Sequence, residues 1–260
     1  MSRKKNLGNL DPEVMEYIDS KMSPTPSNNK NSKVCTPILY KSNVKCKTQK
    51  QKDFYNNLKD ENKEICFGIG SAGTGKSMIS LWYALDEVKK EKYNKIIIFV
   101  PTCEASKTLS LGFLKGTLEE KTEVYKASDK NTIIKILTLS ENSNAKEILN
   151  KLIDKNIIEF ELLNFCKGKT YDNSIILVNE AEDFSVDDML LLLTRIGENS
   201  KIIITGDEKQ TSRSDIKKKE QSGLLHAIEK LGNMEEVSIT NFSDEDIVRN
   251  KLITKILKMW

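Results

Sequence analysis

The sequence predicts an α/β fold, with a parallel sheet covered by helices on both faces. Three observations lead there. From about residue 34, short apolar runs alternate with stretches of helical character. Several of those runs are unbroken Ile/Val/Leu rather than alternating, as expected of strands buried on both faces. One strand-to-helix junction carries a complete glycine-rich loop of the kind that wraps phosphate.

The strand candidates are Ile65 to Ile69, Ile96 to Val100, Ile133 to Leu139, Ile157 to Phe160, Ile175 to Val178, Ile202 to Thr205 and Val237 to Thr240. Helical stretches are expected near 77–91, 119–127, 144–155, 186–196, 221–231 and 244–258. Residues 1–33 are polar and read as a flexible N-terminal tail. Within it, a short helix around Asp11 to Lys21 has Asp11 as N-cap and Pro12 at its first position, and a Pro/Ser/Asn-rich linker covers Ser23 to Ser32. Residues 34–260 then form one domain of ordinary size.

Composition narrows the function classes. The longest strong apolar run, Ile96 to Val100, is strand-sized, so no membrane span is expected. The basic start, Met1 to Lys5, has no apolar segment after it, which points to a cytoplasmic protein. Five scattered cysteines and a single histidine, His226, argue against a zinc site and for free thiols. Net charge is only +3, so a nucleic-acid surface has to come from local clustering. Of 41 cationic residues only four are Arg (Arg3, Arg195, Arg213, Arg249), which draws attention to each of them.

The strongest motif is Gly70-Ser71-Ala72-Gly73-Thr74-Gly75-Lys76-Ser77, a full match to G-x-x-x-x-G-K-[ST]. It follows the strand Ile65 to Ile69 and precedes a helical stretch opening at Met78. Glycines let such a loop fold around phosphate with its amides facing inward, and the helix N-terminus adds partial positive charge. Lys76 is placed to reach the β and γ phosphates of ATP, and the Ser77 hydroxyl to ligate Mg²⁺. The chain is thus of the P-loop NTPase class. A second polar cluster closes the strand Ile175 to Val178: Asn179, Glu180 and Glu182. Glu180 is placed to orient or deprotonate an attacking water. Asn179 keeps an acceptor oxygen for Mg²⁺, through water, but lacks negative charge, so weaker metal binding is expected. A third cluster follows Ile202 to Ile204, where Thr205, Asp207 and Gln210 can sense the γ-phosphate; an ordinary strand-end turn is the alternative.

These three elements, in this order, resemble the PhoH family of P-loop ATPases. Leu111 to Lys121, Gly168 to Asn173, Ser222-Gly223-Leu224 and Phe242 to Arg249 also look like that family, as does Lys47 to Lys52, which is similar to its adenine-contacting glutamine motif with Gln51 the better-aligned glutamine. The resemblance covers about residues 44–258. It implies a RecA/helicase-like core, ATP binding and hydrolysis with Mg²⁺, action on single-stranded RNA, and ring-like homo-oligomers, a hexamer among them. Four positions depart from the pattern: Asn179 in place of Asp, Glu182 in place of Gln, Val100 in place of Arg, and Lys115 in place of Pro. Arg249, in the family-like closing segment, and Arg213 are candidates for an arginine that reaches the γ-phosphate; a surface ion pair is the alternative for each. Lys217 to Lys219 and Lys89-Lys90 can touch an RNA backbone or simply form solvated faces.

Two functions of different class follow. One is an ATPase coupled to RNA, with Lys76, Glu180, Gln210 and Arg249 as catalytic residues and Gln51 and Gly70 to Met78 holding the nucleotide. The other is a nucleotide-dependent assembly module that turns over little, because of Asn179. A small-molecule kinase also uses a P-loop, but the chain has no Arg-rich lid segment, and Thr205 to Gln210 favours the helicase-like core.

Overall fold

A computed structural model describes residues 38–100, 118–208 and 222–248. They form a six-stranded sheet with helices on both faces. In chain order the elements are α1 (Gln49–Lys59), β1 (Ile65–Ile69), α2 (Lys76–Lys89), β2 (Lys95–Val100), α3 (Leu118–Leu139), α4 (Ala145–Asp154), β3 (Ile158–Leu162), β4 (Ser174–Val178), α5 (Val186–Leu193), β5 (Lys201–Gly206), α6 (Gly223–Leu231) and β6 (Val237–Asn241). The strand order is β3-β2-β4-β5-β1-β6, and every pairing is parallel. The glycine-rich loop therefore leaves a strand flanked by β5 and β6, and β5 separates it from the acidic end of β4.

The continuous apolar runs are explained by two cores. Because side chains alternate along a strand, Cys66, Ile96, Ile98, Ile175, Leu177 and Ile203 face one side, where α1 to α4 pack. Phe67, Ile97, Phe99, Ile176, Val178, Ile202 and Ile204 face the other, under α5 and α6. Gly68 makes room for α1: a Cβ there would lie 2.8 Å from the Phe54 ring. Lys201 opens β5 almost fully buried, and its ammonium donates to the carbonyls of Leu58 and Asp60 at 2.7 and 2.8 Å, closing the C-terminal end of α1.

Two expectations need correction. Ile133 to Leu139 is not a strand but the last part of α3, which runs well past the 119–127 predicted. From Ile133 through the residue that follows the helix, the buried positions are Ile133, Ile136, Leu137 and Ser140, spaced i, i+3, i+4, i+7 along one helical stripe. The β-branched composition of the run pointed to a strand, and packing against the sheet overrode it. The helix expected over 244–258 begins instead as a single 3₁₀ turn, Asp244–Asp246, after which Ile247 turns extended; residues from 249 onward lie outside the described ones. Helix α1 was not expected. Among its residues only Gln51, Phe54 and Leu58 are buried, too thin a stripe to stand out in a polar stretch. The tail 1–33 and its short helix also fall outside the described residues. No helix among those described is long and apolar enough to cross a membrane.

Candidate nucleotide site

At the C-terminal ends of β1, β4 and β5 opens a cavity of ≈ 1070 Å³. That is where open α/β sheets bind ligands, and the volume is ample for a nucleoside triphosphate. Its floor is the glycine-rich loop. Gly70 and Gly75 have φ of 139° and 88°, conformations that a side chain disfavours. A Cβ at Gly70 would lie 2.4 Å from the Phe242 carbonyl oxygen, and one at Gly75 2.9 Å from Gln51 Nε2. Gly75 is the N-cap of α2, and the first bond of that helix runs from Ile79 N to Gly75 O at 3.0 Å. The amides of the preceding turn therefore point out of the helix end.

Lys76 lies folded over this loop, 8% exposed. Its ammonium donates to the carbonyl oxygens of Gly70 and Ser71, the latter at 2.9 Å, and to Thr74 Oγ1 at 3.4 Å. The segment after β6 buttresses the loop. Phe242 N donates to Ile69 O at 2.7 Å, Val248 N to Gly73 O at 3.1 Å, and Ser71 Oγ to Asp244 Oδ1 at 2.7 Å. Gln51, on α1, ties the loop from the other side. Its Nε2 donates to Thr74 O at 2.7 Å, while its Oε1 accepts from Lys47 N at 2.6 Å. Since a carbonyl must face the amide N–H and the NH₂ must face the carbonyl, the orientation of this side-chain amide is fixed. These two bonds use one N–H and one lone pair of the amide.

The wall opposite the loop comes from β4. Asn179 is buried there, and Glu180 projects into the cavity from a left-handed conformation (φ 56°, ψ 44°). For a residue with a side chain that conformation costs about 1–2 kcal/mol, the kind of backbone strain that clusters at functional sites. Asn179 Oδ1 accepts from the Thr205 hydroxyl at 2.8 Å, and its Nδ2 donates to Asp129 Oδ1 at 2.6 Å. Burial pushes the Asp129 carboxyl up to about 6, with the nearby Glu180 charge adding to the rise and the Asn179 hydrogen bond opposing it.

Glu182 is buried beneath the same wall, its Oε2 accepting from Asp207 N at 3.0 Å. Burial first, then hydrogen bonding to Glu180, pushes its carboxyl up to about 8. Burial thus favours the protonated form of Glu182, which is a close mimic of the Gln expected at that position. Its unfolded-state value lies near 4.5, so the unfolded chain ionises first as pH rises. The contribution of Glu182 to folding stability is therefore fully present below about pH 4.5, is lost through the interval up to about 8, and levels off above it. Glu182→Gln is expected to flatten that decline while keeping the Asp207 hydrogen bond; Tm measured across this interval for both proteins checks it.

Ala72, Gly73, Gly75, Lys76, Ser77, Met78, Gln51, Glu180, Thr205 and Asp207 all line the cavity. Gly70, Ser71 and Thr74 shape the loop from behind, and Asn179 sits below the surface. Gln210, Arg213, Arg249 and Lys217 to Lys219 lie outside the described residues. Lys90 is held by Asp86 and Glu87 at 2.6 and 2.8 Å, at the end of α2 remote from the loop. His226 is half-buried on α6, away from the cavity. Cys46, Cys66 and Cys166 are free thiols.

The Ser77 hydroxyl, which lines the cavity, and the Asn179 carboxamide beneath it are hard oxygen donors suited to Mg²⁺. Among the described residues no group of three or more His, Cys, Asp or Glu forms an all-protein metal cage. Sequence reasoning missed Ser128, Thr132 and Lys135, which α3 brings to the cavity, and Asp129, which α3 sets behind Asn179. No local motif marks them, because their place depends on how α3 packs.

A family model described as PhoH-like protein matches residues 43–260. The chain is 32% identical over 217 residues to the PhoH-like protein of Bacillus subtilis, covering 84% of this chain and 64% of that protein. It is 29% identical over 250 residues to the PhoH-like protein of Mycobacterium tuberculosis, covering 95% and 67%. Against Protein PhoH of Escherichia coli K12 it is 31% identical over 197 residues, covering 76% and 53%. The match thus spans from about half to about two thirds of these relatives' own length. With the phosphate-type loop, the parallel sheet and a family match over most of its length, the chain belongs to the PhoH-like protein family.

Proposed function

We propose that this chain binds ATP with Mg²⁺ and hydrolyses it, with turnover coupled to single-stranded RNA. The observation that carries the proposal is the convergence, on one cavity, of the glycine-rich loop with Lys76, the N-terminus of α2 and the exposed Glu180. Loop amides and Lys76 take the phosphates, and Gln51 is assigned the base by family likeness. Ser77 and, through water, Asn179 hold Mg²⁺, whose charge offsets that of the phosphates. Glu180 takes a proton from the attacking water. Gln210 and Arg249 are assigned the γ-phosphate by family likeness. RNA as partner and a hexameric homo-oligomer rest on family likeness too; a cytoplasmic location and the division into a tail, 1–33, and a domain, 34–260, rest on composition and sequence pattern.

Asn179 favours a second reading. With no carboxylate on β4 itself, the chain can act as a nucleotide-dependent assembly module with little turnover. Phosphate release with Mg²⁺, measured with and without single-stranded RNA, separates the two. Stimulation by RNA is the expected result; tight ATP binding without release supports the second reading, and no binding overturns both.

A further inference from the structure

We infer that Asp129 on α3 and Asn179 on β4 work as one divided acid, with Asp129 supplying from behind the amide the negative charge that β4 lacks at the Mg²⁺ position. The inference rests on the nucleotide reading above and names the residue that compensates for its weakest point.

Three side chains form a continuous relay: the Thr205 hydroxyl donates to Asn179 Oδ1 at 2.8 Å, and Asn179 Nδ2 donates to Asp129 Oδ1 at 2.6 Å. All three are buried, at 1%, 6% and 7% exposure. An ionised carboxylate only accepts, so Asp129 holds the Asn179 NH₂ toward itself and turns the carbonyl to the Thr205 side, which lines the cavity. A hydrogen bond to a charged acceptor polarises the amide and makes its oxygen a stronger donor to a cation. The charge itself also counts. Coulomb attraction falls as 1/r, so setting a charge back from about 4 Å to about 7 Å leaves rather more than half of it. Among the described residues Asp129 forms no ion pair, and Asn179 is its hydrogen-bond partner. A buried carboxylate in that position is stabilised by a cation that arrives with the ligand.

The divided acid makes a counter-intuitive prediction. Asn179→Asp does not simply restore a missing acid, because it sets two carboxylates at hydrogen-bond distance, where one retains a proton. Exchanging the two residues keeps one carboxylate and one carboxamide in contact. The test is calorimetric titration with a non-hydrolysable ATP analogue, with Mg²⁺ and with EDTA, on the unmodified protein, Asp129→Asn, Asn179→Asp and the exchanged double variant. Asp129→Asn is expected to reduce the Mg²⁺-dependent gain in affinity by about 10–100-fold, the usual effect of losing an outer partner of a metal ligand, and to leave affinity in EDTA unchanged. The exchanged variant recovers most of the gain, and because it preserves the contact and the net charge it stands as a separate test should a single variant fold poorly. An unchanged Mg²⁺ gain in Asp129→Asn, or an exchanged variant no better than either single one, overturns the inference while leaving nucleotide binding intact. No analogue binding by the unmodified protein in either condition overturns the nucleotide reading itself.

Discussion

Lys76→Ala is expected to lower ATP turnover by about 10²–10³-fold, the usual cost of removing one preorganised donor from a site of charge development. It is also expected to weaken nucleotide affinity, because hydrogen bonds to charged groups contribute roughly 1.5–3 kcal/mol. The ligand-free geometry shows why a single side chain carries so much. Lys76 Nζ donates to two loop carbonyls and to the Thr74 hydroxyl, holding residues 70 to 74 wrapped around it. When phosphate enters, the same ammonium can turn from carbonyl oxygens to phosphate oxygens without moving far. Alanine removes both the internal tie and the phosphate contact. Arginine is expected to be no rescue: its planar fork is too wide for a pocket shaped to a point charge. Calorimetry gives the affinity, phosphate release the turnover, and circular dichroism shows that the fold persists. Lys76→Ala protein that binds ATP as tightly as the unmodified chain would remove Lys76 from the site.

How much of this was legible beforehand depends on whether the information is local. The loop was legible because its chemistry demands glycines at fixed offsets, and Gly70, Gly73 and Gly75 all adopt positive φ. The strands were legible because burial on both faces forces unbroken apolar runs such as Ile96 to Val100. The run Ile133 to Leu139 misled for the same reason, since a short β-branched segment looks alike in a buried strand and a buried helix stripe. Strand order was beyond reach: nothing in residues 201–206 says that β5 inserts between β1 and β4. Asp129 was beyond reach as well. It meets Asn179 across 50 positions of chain, and only the packing of α3 brings the two together. Position 182 shows the converse. A Glu for Gln exchange looks like a gain of charge in the sequence, yet burial and the neighbouring Glu180 both favour its protonated form.

Glu180→Gln is expected to cut hydrolysis by about 10²–10⁴-fold, the range for loss of a general base, with ATP affinity nearly unchanged. The two losses thus differ in kind: Lys76→Ala shows in binding and turnover together, Glu180→Gln in turnover alone. The side chain stands at the cavity wall, apart from the loop that carries the phosphate contacts, so exchanging its oxygen for NH₂ leaves those contacts in place. Single-turnover phosphate release beside calorimetry on the same variant makes the comparison, and undiminished release would place the base elsewhere. A second readout ties the residue to its neighbour. Glu182 is pushed up to about 8 in part by its hydrogen bond to Glu180 and by that group's charge, after the larger effect of burial. Removing the charge at 180 leaves burial to act without that help, so the Glu182 carboxyl ionises at lower pH. The interval over which stability declines then ends earlier on the alkaline side. A Glu180→Gln variant that loses turnover and also shortens this interval places both carboxyls side by side at the mouth of β4, where the charge at 180 acts on Glu182.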